Sequence, residues 1–138
     1  GLLFAQSQAD EEELVKSLLQ TGKKAIIMQN MGFTEDESKA FWPVYNEFQE
    51  AKQKLNERTI KMLKDYLAGY ETFSQEKADA MIKEYLAIER ERVDLKASYL
   101  PKFMKIMQAK KVARFYQIEN KLEAIIKYEL VKEVPLVK

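Results

Sequence analysis

From Thr34 to Gly69 the chain gives a helix a start, a periodic apolar face and almost nothing to stop it. Thr34-Glu35-Asp36-Glu37 is a capping box: the Thr34 hydroxyl can accept from the backbone three residues on, and Glu37 can reach back. Phe33 stands just before the cap, where a hydrophobic staple sits. Phe41, Val44, Phe48, Ala51, Leu55 and Met62 then recur at helical spacing, the mark of one buried stripe. Pro43 lies about two turns inside and is expected to kink this helix rather than end it. A helix of about 34 residues is about 50 Å long. A compact globule of this chain length is only about 35–40 Å across, so such a rod cannot be wrapped by its neighbours.

Three more helices are expected. The first runs from about Asp10 to Asn30, with an acidic start that suits a helix N-terminus, and Gly32 ends it. Ser74 caps the third, about Gln75 to Met107, and Pro101 is expected to bend or split it near Leu100. This third helix carries two adjacent apolar lines. One is Met81, Tyr85, Ile88, Leu95 and Tyr99; the other is Ile82, Leu86, Val93, Ala97, Leu100, Met104 and Met107. The fourth runs from about Ala109 to Val131. The fold class is therefore all-α: an elongated four-helix protein whose second and third helices form a long antiparallel hairpin turning at about Glu71 to Phe73. The apolar flank left over must face a second copy, a client or both, and an antiparallel dimer is expected.

The chain has no His and no Cys. That removes the commonest general base, the commonest transition-metal ligand and every thiolate. No glycine-rich phosphate loop is present. No catalytic, cofactor-binding or metal-binding residue is assigned, and the chain is not expected to be an enzyme. A net charge of +1 gives no global pull toward nucleic acid. No run of about 18 apolar residues occurs, so no transmembrane segment is expected in the mature chain.

Leu2-Leu3-Phe4-Ala5 reads as the end of an apolar run, and Ser7-Gln8-Ala9 puts small residues where a signal peptidase reads. Residues 1–9 are therefore expected to be a signal-peptide remnant, with 10–138 a single all-helical domain in the periplasm.

The plan resembles the periplasmic Spy/CpxP-like chaperone family, described by its LTXXQ motifs. Phe33-Thr34-Glu35-Asp36-Glu37 stands where the first box falls, with Phe33 for Leu and Glu37 for Gln. Met107-Gln108-Ala109-Lys110-Lys111 occupies the place of the second box but keeps only its apolar first position. Phe73-Ser74-Gln75-Glu76-Lys77 imitates the box better, yet opens the third helix. The resemblance implies a helical dimer that holds unfolded or stress-damaged proteins without ATP or any cofactor. Some relatives instead dock on a periplasmic sensor domain, which stays as the alternative.

Two charged groups are candidate client or partner sites. Arg58 and Arg92 fall on or beside apolar lines, and folding the hairpin about residue 72 brings Arg58 within one turn of Glu89. They are either a charged spot in a client groove or an Arg58–Glu89 pair that sets hairpin register. Lys102, Lys105, Lys110, Lys111 and Arg114 form a basic stretch, either a docking rim or a solvated helix face. The aromatic group Phe41, Trp42, Tyr45 and Phe48 is more simply core than ligand box. Phe33, Thr34, Glu37 and Ser74 are assigned to capping.

Overall fold

A computed structural model describes residues 22–138. The leader-like stretch 1–9, and residues 10–21 of the expected first helix, lie outside the described residues. Among those described there are four α-helices and no strand. They are α1 (22–31), α2 (Glu35–Gly69), α3 (Gln75–Met104) and α4 (Ala109–Val131). A short 3-10 turn, Tyr70–Thr72, joins α2 to α3. Gly22 has φ +74° and Gly32 φ +60°. Such angles suit only glycine and lie outside the right-handed helix. Gly32 therefore stops α1.

Two compact units form. In the first, residues 22–37 join Met107–Lys132. Its core holds Ile26, Ile27 and Met31 from α1, with Val112, Phe115 and Leu122 from α4. Glu119 is buried too, and its Oε1 accepts from the Lys23 Nζ at 2.5 Å.

The second unit comprises Ser38–Ile106 and Glu133–Lys138. Here α2 and α3 form the antiparallel hairpin. Phe41, Tyr45 and Phe48 of α2 are buried with Phe103 of α3. The Phe41 and Phe103 rings lie 5.6 Å apart, and Phe48 and Tyr99 5.1 Å. At the turn, Tyr66 meets Phe73 edge-on at 5.0 Å. The Tyr66 hydroxyl donates to the Pro135 carbonyl at 2.7 Å. Lys138 pairs with Glu71. The tail is thus tied to the hairpin's turn.

Both prolines lie inside helices. α2 continues through Pro43 for its full 35 residues. Pro101 does not split α3, and the Pro101 carbonyl still accepts from the Lys105 N–H at 3.2 Å. The helix stops at Met104, three residues short of the expected end at Met107. Met107 is buried in the first unit instead.

Candidate functional site

The capping box forms in full. The Thr34 N–H donates to the Glu37 carboxylate at 2.9 Å, and the Glu37 N–H donates to the Thr34 hydroxyl at 3.1 Å. Ser74 accepts from the Lys77 N–H at 3.1 Å and opens α3 the same way. Phe33, ahead of the box, is half-buried.

Most of the basic stretch is engaged within its own unit. Lys111 reaches the Gly32 carbonyl at 3.0 Å and the Glu37 carboxylate at 2.5 Å. Arg114 donates to the Asn30 carbonyl at 2.6 Å. Both cations therefore serve the carbonyl end of α1, where the helix dipole is negative. The Lys111 ammonium, with the Thr34 N–H, holds the Glu37 carboxyl below its ordinary range. In the second unit Lys102 meets Glu47 at 3.4 Å and sits over the Tyr99 ring at 4.6 Å. Lys105 and Lys110 are exposed. Within the first unit Lys111 and Arg114 sit at the end of α1, and within the second Lys102 lies on the hairpin.

Arg58 does bridge the hairpin, but its partners are Glu84 and Glu91, each at 2.5 Å, and not Glu89. These two carboxylates stand seven residues apart on α3, two turns along one face, so a forked guanidinium can hold both. Both partners raise the Arg58 pKa. Arg92 donates to the Thr59 hydroxyl at 3.1 Å. Burial pulls its pKa down, and the Glu89 charge pulls it back up. These contacts set the register of α2 against α3, and they leave no open cationic spot at Arg58.

The surface that remains is apolar. Of the two lines on α3, one turns mostly inward: Ile88 is 2% exposed, Met81, Leu95 and Tyr99 are half-buried, and Tyr85 alone of this line is exposed. The other faces water. Val93 is 65% exposed and Leu86 52%, with Ile82, Leu100 and Met104 at least 41%. At 100° per residue these five fall within a sector of about 40°, and Ala97 extends it to about 60°. The sequence revealed both lines but not which one α2 would cover. The charges bordering the outward line, Glu89 and Lys96 on one edge and Arg90 and Asp94 on the other, were missed as a set. Their seven- and four-residue spacings were visible.

No group of acidic side chains suited to a metal ion occurs among the described residues, and no helix there is long and apolar enough to cross a membrane. No family model, no curated protein and no solved structure matches the chain.

Proposed function

We propose that the chain is an ATP-independent periplasmic holding chaperone, and that the outward line of α3 is the surface on which it holds extended apolar segments of unfolded clients. The observation that carries this reading is the straight solvent-facing row from Ile82 to Met104. The row runs for 22 residues, about 33 Å, and a helix face is about 10 Å wide. Covering roughly 330 Å² at about 25 cal/mol per Å² yields about 8 kcal/mol gross. Association costs about 4–15 kcal/mol, so holding is weak and transient, which suits release without an energy source. Flexible Met104 and the mixed charges alongside favour varied clients over one fixed partner. The resemblance to the Spy/CpxP-like family and the leader-like residues 2–9 support the same reading.

The test is light scattering from several unrelated, chemically denatured proteins diluted into buffer without nucleotide. Equimolar chain suppresses their aggregation, and Leu86→Ser with Val93→Ser removes the suppression while the helical signal is kept. Undiminished suppression by the double variant refutes the site. Failure to protect any client, with tight binding to one sensor domain, refutes the chaperone in favour of a dedicated regulatory partner.

A further inference from the structure

We infer that the tip of the α2–α3 hairpin is a docking site for an extended segment of another protein that carries a proline and, three residues later, a Lys or Arg, and that residues 133–138 of this chain cover the site until such a segment displaces them. The inference goes beyond the holding role proposed for α3 and does not rest on it.

The sequence puts three rings at the tip. Tyr66 and Tyr70 stand four residues apart, where α2 runs into its 3-10 turn, and Phe73 follows that turn. Residues at this spacing share a face. The Tyr66 ring lies 5.9 Å from Tyr70 and meets Phe73 edge-on at 5.0 Å. Glu71, between Tyr70 and Phe73, adds an exposed carboxylate. Aromatic rings with a donor hydroxyl form the kind of surface on which extended proline-containing peptides are recognised.

The chain's own residues show what this surface takes. Residues 134–138 belong to no helix, strand or turn. The Tyr66 hydroxyl donates to the Pro135 carbonyl at 2.7 Å, and Tyr66 is only 3% exposed. Val134 and Pro135 are half-buried. Lys138 pairs with Glu71, and its ammonium lies 5.9 Å from the centre of the Tyr70 ring. Proline suits this place because it has no N–H to strip of water and its φ is fixed before docking.

These residues are held as a ligand is held, not as a core is packed. Leu136 is 88% exposed and Val137 49%, so the two large apolar side chains after the proline contribute little. What remains is a neutral hydrogen bond, an exposed ion pair and a distant cation–π contact, each weak alone. None of them needs the segment to belong to the same chain: a carbonyl and an ammonium from another protein serve equally. Attachment gives residues 133–138 an effective concentration on the order of millimolar. A free segment therefore binds more weakly in proportion to the fraction of sites left open.

The experiment is fluorescence anisotropy of a labelled peptide with the sequence of residues 133–138, blocked at both ends and titrated with the full chain to about 500 μM. Lys138→Glu sets like charges together at Glu71 and opens the site without altering it. This variant binds the peptide about fivefold tighter than wild type, and binds the Pro135→Ala peptide about fivefold more weakly than the original. Glu71→Lys also opens the site and reverses its preference, so the Lys138→Glu peptide binds about fivefold tighter than the original. The chain carrying Glu71→Lys with Lys138→Glu closes again and binds either peptide as weakly as wild type binds the original. Both positions are exposed, so the helical signal is kept throughout. No binding by the Lys138→Glu chain overturns the site. Equal binding by that chain and wild type overturns the cover. An unchanged preference in Glu71→Lys, or no loss with the Pro135→Ala peptide, overturns the ligand class. A wild-type dimer that the peptide splits overturns the cover within one chain, since two copies then exchange their segments.

Discussion

Ile88 and Leu86 stand two residues apart on α3, and replacing each with Ala separates the inward line from the outward one. Ile88 is 2% exposed, so Ile88→Ala leaves a cavity in the hairpin and is expected to cost about 2–5 kcal/mol. Leu86 is 52% exposed. Full burial of such a side chain is worth about 1.5–3 kcal/mol, and only half of that is at stake. Leu86→Ala is therefore expected to cost about 1 kcal/mol or less, since Ala is also an excellent helix former. Urea unfolding converts these figures into midpoints. With a slope of about 2 kcal/mol/M, Ile88→Ala lowers the midpoint by about 1–2.5 M, and Leu86→Ala by about 0.5 M or less. Client holding follows the reverse order. Leu86→Ala weakens it, and Ile88→Ala leaves it unchanged under conditions where the variant is folded. Equal midpoint shifts would show that Leu86 is already covered within one copy, and the open row would then not exist.

The remaining predictions concern the ends of the helices and the tail. Thr34→Ala removes the acceptor for the Glu37 N–H. It is expected to cost about 1 kcal/mol, read as a fall in Tm of about 3–5 °C by calorimetry. The Glu37 carboxyl is held below its ordinary value of 4.5. Its contribution is therefore complete above that value and is lost as pH falls through the depressed one. Glu37→Gln keeps an acceptor for the Thr34 N–H but gives up the Lys111 charge pair, so Tm measured from pH 7 to pH 3 falls less steeply below about 4.5 than in wild type. Tyr66→Phe removes the hydroxyl that donates to the Pro135 carbonyl. It is expected to cost about 0.5–1.5 kcal/mol, and carboxypeptidase should trim residues 133–138 faster.

How much was legible depended on whether the signal was local. The capping box at Thr34 and the N-cap at Ser74 need only four consecutive residues, and both helices begin where those residues place them. Gly32 and the 3-10 turn at Tyr70–Thr72 were readable for the same reason. Of the two outcomes expected at Pro101, a bend or a split, the split does not occur, because a proline one turn from a helix end removes a hydrogen bond with little left to break, and α3 runs on to Met104. The Arg58 partner required a register accurate to a fraction of a turn. Folding about residue 72 put Arg58 opposite residue 86, and the structure takes the carboxylates on either side, Glu84 and Glu91, and not Glu89. The basic stretch was beyond reach for a different reason. Lys111 and Arg114 reach carbonyls 79 and 84 residues away, at Gly32 and Asn30, which leave no trace in a side-chain pattern, and the Glu37 carboxylate that Lys111 also holds is 74 residues away.

The hairpin leaves the composition of one face of α3 unexplained by folding alone. α2 buries six side chains along its length, among them four aromatics, whereas α3 buries only Ile88 and Phe103 over its thirty residues. If packing against α2 were the whole reason for the composition of α3, one apolar line would serve, and the opposite face would be charged as on an ordinary amphipathic helix. Instead Val93, Leu86 and their neighbours sit in water, where each favours association over staying apart. The fold has no need of them: the register is already set by Arg58 on Glu84 and Glu91, and the ends by the Phe41–Phe103 and Tyr66–Phe73 contacts. A straight apolar face that contributes little to folding is what the proposed holding of clients rests on, and loss of holding with little loss of stability in Leu86→Ala is the outcome that separates it from ordinary surface.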